Sequence, residues 1–269
     1  MKPLILLTND DGIHSPGLMA AAEALAGLGR LLIAAPQTQQ TAMGRSFPRA
    51  DDLGILERVA DFDGLPDAEG WAVHGSPAWS VAYGVLELAG ERPALCVSGI
   101  NYGENMGQTI GYSGTLGAAF EANSYGIPSV ALSLETSPTE YYATDFPAQD
   151  WSSAQAALRK WAGWMLSFGS TPPADTLNIN LPAIPLPPSR YRITHQSRQN
   201  HLVFQPPGPR DRSQPFRLRF QRQVDAAALE PDSDLYAVCV ERVTSVTPMQ
   251  CGFCCGWKRD PGPISSRNR

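Results

Sequence analysis

Four consecutive aliphatic residues, Leu4 to Leu7, stop abruptly at Thr8-Asn9-Asp10-Asp11-Gly12. A short, uninterrupted apolar run of this kind predicts a strand buried on both faces, hence central in a parallel sheet. Open α/β sheets bind ligands at the carboxyl ends of their strands, which is where the two aspartates stand. Neighbouring carboxylates repel unless a cation or a shared proton relieves them. A hard divalent cation is the simplest relief, because it prefers oxygen ligands. Gly12 permits a turn, and Ser15-Pro16 offers a helix cap followed by proline at the first helical position. The bland alternative is a polar loop with solvated aspartates.

The same grammar repeats along the first two thirds of the chain. Residues 17–28 predict a helix with Leu18, Ala21, Ala22, Leu25 and Leu28 on one face, and residues 30–36 predict a second buried strand. Strand, helix and strand at this spacing make a right-handed βαβ unit. The loop 37–46 then opens on the same sheet edge as Asp10 and Asp11, with Thr41, Arg45 and Ser46 as its polar candidates. Further helices are expected at 78–88, 116–123 and 151–168, and further strands at 93–97, 126–133 and 176–181. The aromatic residues of 151–168 are expected in the core. The Gly/Asn-rich loop 98–107 follows a strand, so its glycines let the backbone approach a ligand, and Asn101 and Asn105 bring amide groups. Ser113, Gly114 and Thr115 start a helix, where free amides and the helix dipole suit an anion, although plain capping explains them as well. His14 could line the pocket, and His74 supports a turn.

From residue 182 to about 221 the composition shifts to Pro, Arg and Gln interleaved with aromatics. Residues 190–194 and 216–221 alternate like the two arms of one extended hairpin, carrying His195 and His201 between them. Such an arm has too little core of its own, so it is expected to pack on a partner chain. Residues 235–240 and 242–248 predict a strand pair. Residues 249–269 carry Cys251, Cys254 and Cys255, a weak zinc signal, and read as a loosely ordered tail.

The chain has 269 residues and a formal net charge of -5, which argues against a stable nucleic-acid complex. No signal peptide and no membrane span are expected, and five cysteines, an odd number, fit a reducing compartment, hence a cytoplasmic location.

Four stretches together carry a family resemblance. They are Leu-Leu-Thr-Asn-Asp-Asp-Gly-Ile-His-Ser-Pro-Gly, Val-Ser-Gly-Ile-Asn-Tyr-Gly-Glu-Asn-Met-Gly, Tyr-Ser-Gly-Thr-Leu-Gly-Ala-Ala and Ser-Asp-Leu-Tyr-Ala-Val with Val-Thr-Ser-Val-Thr-Pro. In order and spacing, from about residue 3 to 248, they resemble the SurE family of survival phosphatases. The resemblance implies one Rossmann-like α/β domain over residues 1–248, a doubly wound, mostly parallel sheet with a protruding β-hairpin arm. It also implies a divalent-metal-dependent hydrolase of nucleoside 5′- and 3′-monophosphates, assembled as a homodimer or homotetramer. Carried over residue by residue, it makes Asp10, Asp11 and Asn101 catalytic, and Asp10, Asp11, Thr41 and Asn101 ligands of one cation such as manganese or magnesium. Thr41 stands where the family has a serine. Asn9, Asn105, Ser113, Gly114 and Thr115 match positions near the phosphate.

Two other functions remain open from the residues. A haloacid-dehalogenase-like phosphatase would use an aspartyl nucleophile, but it places one residue between its aspartates. A non-catalytic nucleotide-binding regulator would keep the phosphate loop and have little use for the aspartate pair.

Overall fold

The computed structural model describes residues 2–137, 140–142, 145–169, 171–184 and 190–250. Cys251, Cys254 and Cys255 lie outside the described residues. Strand β1 (Leu4–Thr8) is buried along its whole length and pairs in parallel with β2 (Arg30–Pro36) on one side. The helix α1 (Pro16–Leu25) joins them. The chain then runs through β3 (Leu56–Val59) and β4 (Ala68–Val73), which adds in parallel outside β2. Helix α2 (Pro77–Tyr83) starts at Ser76, whose hydroxyl accepts from Trp79 N–H at 3.2 Å. It continues as a wider, π-type turn over Gly84–Leu88, so the helix expected at 78–88 is present with a change of pitch.

Strand β5 (Leu95–Tyr102) returns to the far side of β1. Helix α3 (Gly114–Ser124), β6 (Ser129–Leu134), α4 (Ser152–Leu166) and β7 (Thr176–Leu181) follow, and β6 and β7 extend the parallel sheet outward. The sheet order reverses between β1 and β5, since β2 and β4 lie on one side and β5, β6 and β7 on the other. That reversal opens a crevice beyond the carboxyl end of β1, the place where doubly wound folds take ligands.

Both faces of the sheet are covered, as continuous apolar strands require. Ile5 and Leu7 pack with Leu18 and Leu25 of α1 and Leu158 and Trp161 of α4. Leu4 and Leu6 point the other way, onto Val81 of α2 and Ala118 and Ala122 of α3. Of the aromatics in this stretch, Trp161 is buried, but Trp164 and Phe168 are half-exposed and meet edge to face with centroids 4.8 Å apart. Among the described residues no helix is long and apolar enough to cross a membrane.

The last third departs from the sequence expectation in two places. Residues 190–194 do not pair with 216–221. Strand β8 (Tyr191–Ile193) forms the outer edge of the main sheet, parallel to β11 (Thr244–Met249), which is antiparallel to β7. The hairpin is instead β9 (Leu202–Phe204) with β10 (Phe220–Arg222), a separate two-stranded ribbon, so His195 precedes it. Alternation identifies strands without choosing their partners. Tyr191 is drawn to the sheet edge by Trp161, with centroids 5.1 Å apart, and by the Lys160 ammonium 3.9 Å from its ring centre. Residues 235–240 are also not a strand. Tyr236–Val240 forms a π-type turn started by Ser233 and Asp234, whose side chains accept from Tyr236 N–H and Leu235 N–H at 3.2 and 2.7 Å. Leu235 and Val238 then bury against Met106.

Candidate active site

The turn after β1 is closed by Asn9, whose amide nitrogen donates to Gly12 O at 3.0 Å and whose amide oxygen accepts from Gly12 N–H at 3.2 Å. Gly12 has φ +100°, which a side chain would oppose. This turn sets Asp10 and Asp11 side by side, only 4 % and 5 % exposed. Asp10 Oδ1 accepts from the Thr115 hydroxyl at 2.7 Å. Asp11 Oδ2 accepts from Tyr102 N–H at 3.0 Å, and its Oδ1 accepts from Gln39 at 3.4 Å. The ion pairs of the described residues include neither aspartate.

Two buried like charges without a cation must hold protons more tightly than free carboxylates do. Burial pushes Asp10 up to about 6. Burial, reinforced by the Asp10 charge, pushes Asp11 up to about 8. The pair titrates as a unit, so these values describe the dyad.

Strand β5 supplies the second side. Its register against β6 shifts between Gly99 and Asn101. Asn101 donates its amide nitrogen to Gly103 O at 2.6 Å, so its oxygen is what it can offer a ligand. Asn105 spends its amide hydrogens on Thr115 and Ser133, at 3.2 and 2.9 Å. Its backbone is held from below: Asn105 N–H donates to Asn180 Oδ1 at 2.8 Å, while Asn178 and Asn180 donate to Asn105 O at 2.9 and 3.1 Å. The third side is the start of α3, where the Ser113 hydroxyl accepts from Leu116 N–H at 3.1 Å. A Cβ on Gly114 would lie 2.6 Å from Asp10 Oδ2, so only glycine lets the helix start sit against the carboxylate.

These groups floor a cleft of about 750 Å³. Asp10, Thr41, Asn101, Asn105 and Ser113 line its polar end, and Tyr112, Tyr141, Tyr142, Leu202, Phe204 and Phe220 line the other. The hairpin therefore folds over the cleft of its own chain. Glu104 lies at the junction, fully buried. Burial alone would lift its carboxyl, but His201 at 3.2 Å and the Arg222 guanidinium outweigh that and hold it below the usual carboxylate range.

Of the residues singled out from sequence, Asp10, Thr41, Asn101, Asn105 and Ser113 meet at the cleft. Asp11 stands beside Asp10, and Gly114 packs against it. The side chains of Asn9 and Thr115 are fully buried and shape the floor from behind. Thr41 donates its hydroxyl to Tyr141 O at 3.2 Å and keeps its lone pairs. Three candidates lie elsewhere. His14 is exposed and pairs with Asp61 at 2.7 Å. Arg45 pairs with Glu121 at 2.8 Å, and the Ser46 carbonyl accepts from the Ser76 hydroxyl. His74, at 2.8 Å from Asp52, braces a turn as expected.

Sequence reasoning missed Gln39, Glu104, Asn178, Asn180, Tyr141, Arg222 and the aromatic wall. The one available signal was Asn178-Ile179-Asn180: two asparagines on one face of a buried strand must find polar partners.

The donor set suits a hard divalent cation: two uncompensated carboxylates, an amide oxygen and a hydroxyl, all oxygen. Among the described residues no three His, Cys, Asp or Glu side chains converge on one point, so such an ion would depend on the amide and hydroxyl as well.

Comparisons with known proteins agree with this geometry. A family described as "Survival protein SurE" matches residues 5–202. A relative from Methanocella arvoryzae named "5′-nucleotidase SurE" is 38 % identical over 251 residues, covering 91 % of each chain. A second of that name, from Methanosarcina acetivorans, is 34 % identical over 93 % of this chain and 92 % of its own. The solved SurE protein from Aquifex aeolicus superimposes with a TM-score of 0.69 over 94 % of this chain and 95 % of its own, at 27 % identity. With both the family match and the full-length relatives in agreement, the chain belongs to the SurE family.

Proposed function

We propose that this chain is a divalent-metal-dependent phosphomonoesterase that hydrolyses nucleoside 5′-monophosphates, and 3′-monophosphates, to nucleoside and phosphate. The observation that carries the reading is the buried, uncompensated Asp10–Asp11 pair beside the start of α3, in a chain whose full-length relatives bear the name 5′-nucleotidase. Asp10, Asp11, Asn101 and Thr41 would hold one cation per subunit, manganese or magnesium. When bound, the ion supplies Lewis acidity to the phosphate oxygens and to the attacking water.

The remaining work falls to the chain itself. The positive end of the α3 dipole stands beside Asp10 and favours the negative charge that develops at the phosphate. Thr115 fixes one oxygen of Asp10, and Tyr102 N–H fixes one of Asp11. The Asn178 and Asn180 amides hold the Asn105 backbone in register, which keeps the loop at a constant distance from the aspartates. The aromatic end of the cleft excludes water and offers faces on which a base stacks. The reading includes a homodimer or homotetramer joined through the arm, supported by the exposed Phe204, Phe216 and Leu218. It also includes a cytoplasmic setting, supported by the free thiols Cys96 and Cys239.

The test is phosphate release from 5′- and 3′-nucleotides of all four bases, with manganese or magnesium and with chelator. Release that stops on chelation and returns with added ion is expected. Release indifferent to chelator would remove the metal from the reading, and no release from any nucleotide would remove the activity.

Gly114→Ala gives a sharper local check. The added methyl would lie 2.6 and 2.7 Å from Asp10 Oδ2 and Cβ, so the carboxylate must shift. Misplacement of about 1 Å costs on the order of 10²-fold in rate, which is the loss expected in turnover. Wild-type turnover in Gly114→Ala would mean that the position of Asp10 does not matter.

A further inference from the structure

The hairpin wall of the cleft has little to hold it in place. Strands β9 and β10 have three residues each and form a ribbon apart from the main sheet. A two-stranded ribbon this short is not stable by itself in water. Phe204 is 58 % exposed, so the ribbon buries little apolar surface through it. What ties the ribbon to the body is a set of charges at its base. Arg222, the last residue of β10, reaches Glu104 with Nη2 and Glu135 Oε1 with Nη1 at 2.5 Å. The same Nη2 donates to Thr136 O at 3.2 Å and to the Tyr141 hydroxyl at 3.4 Å. Glu104 and Glu135 are both buried. Arg242 completes the set on Glu135 at 2.6 Å, and His201, just before β9, approaches Glu104 Oε1.

The guanidinium therefore touches both halves of the aromatic wall. Through Tyr141 it holds the body side. Through its own strand it holds Phe220, two residues earlier and hence on the same face of the ribbon. Tyr141 and Phe220 lie nearly parallel, with centroids 6.0 Å apart and 16° between their planes, and Phe204 meets Phe220 edge-on at 6.0 Å. A forked, always-charged group is suited to gripping two carboxylates and a hydroxyl together; an ammonium is a single point charge.

We propose that Arg222 is a positioning residue that sets selectivity for phosphomonoesters bearing a flat aromatic group, by clamping Tyr141 and Phe220 into one wall above the phosphate end of the cleft. The inference rests on the phosphatase reading above and adds to it which residue makes the site prefer a nucleotide over a small phosphate. Arg222 does not reach Asp10, Asp11, Asn101 or the start of α3 in any of its hydrogen bonds. Its removal therefore acts first on the aromatic wall, and through it on binding of the aromatic group.

The experiment compares two substrates in wild type, Arg222→Met and Arg222→Lys. One is a nucleoside 5′-monophosphate and the other is β-glycerol phosphate, a monoester with no ring. In Arg222→Met the KM for the nucleotide is expected to rise about tenfold with kcat little changed, the loss of roughly one base–aromatic stacking contact. For β-glycerol phosphate, kcat/KM stays within about twofold, because uniform binding of the phosphate end is untouched. Arg222→Lys keeps a positive charge beside Glu104 and Glu135, so it stays folded even if Arg222→Met does not. It loses the fork and shows the same selective rise in KM, smaller in size. Equal losses on both substrates, or a nucleotide KM equal to wild type in either variant, overturn the clamp. Wild-type protein that hydrolyses neither substrate overturns instead the phosphatase reading on which it rests.

Discussion

Asp10→Asn and Asp11→Asn are each expected to lower nucleotide turnover on the order of 10²-fold or more, with the fold intact. Both substitutions keep size and shape, so the packing of Asp10 against Gly114 and the acceptor oxygens facing Thr115 and Tyr102 survive. What each removes is one negative charge from a pair that has no cationic partner among the described residues. A divalent ion held by two carboxylates loses half its anionic ligand charge, and the remaining donors at the cleft, Asn101 and Thr41, are neutral. The same change removes a like-charge repulsion in the metal-free protein. Melting in chelator should therefore occur at the wild-type temperature or above it, while the stabilisation by added manganese shrinks. The measurement is phosphate release and thermal melting for wild type and both variants, with and without manganese. Wild-type turnover in both variants would mean that the pair does not carry the reaction.

The outcome separates catalytic loss from structural loss, which a truncation to alanine would not. Asp10→Ala would leave the buried Thr115 hydroxyl without an acceptor and open a void against Gly114. A loss of activity there would say little about charge.

What the sequence allowed and what it withheld follow from range. Strands β2 and β7 fall on the expected boundaries because an apolar run closed by Pro36, and an alternating segment stopped by Pro182, each carry their own limits in the sequence. The polar end of the cleft was legible for a related reason. Asp10 comes just after β1, Asn101 lies near the carboxyl end of β5 and Ser113 caps α3, and the sheet reversal brings such ends together. The aromatic end was not, because Tyr141, Phe204, Phe220 and Arg222 belong to segments whose mutual placement is decided by pairing. Alternation at 190–194 and at 216–221 was equally compatible with one hairpin. The pairing of 220–222 with 202–204 goes together with Arg222 reaching two buried carboxylates on the body, and nothing near Arg222 in sequence announces Glu104 or Glu135. The turn at 236–240 was misread for the converse reason: Val and Tyr favour strands, but the Ser233 and Asp234 caps, together with burial against Met106, impose a helical turn.

The aspartate pair also makes the stability of the metal-free protein depend on pH in a direction opposite to that of the usual carboxylate. Burial, with the Asp10 charge added, lifts Asp11 from 3.8 unfolded to about 8 folded, and burial lifts Asp10 from 3.8 to about 6. A group that binds its proton more tightly when folded is stabilised by protonation, and that contribution is complete below the unfolded value and lost as pH rises through the folded one. In chelator the melting temperature is therefore expected to fall between about pH 4 and pH 8, the window set by these shifts. A divalent cation binds only the deprotonated pair, so with manganese the trend should flatten or reverse. At about 100 times its dissociation constant the ion adds roughly 2.7 kcal/mol, on the order of 5–8 °C for a chain of this size. His74, whose pKa is raised by its hydrogen bond to Asp52, also loses stabilisation as pH rises, so its slope must be subtracted. Asp11→Asn supplies the subtraction, because it retains His74 and removes the more strongly shifted carboxyl. The expected result is a steep downward slope for wild type in chelator, a shallower one for Asp11→Asn, and convergence of the two at the acid end. Identical slopes for the two proteins would mean that the pair is solvated rather than buried, and the case for a cation between strand β1 and helix α3 would lose its electrostatic basis.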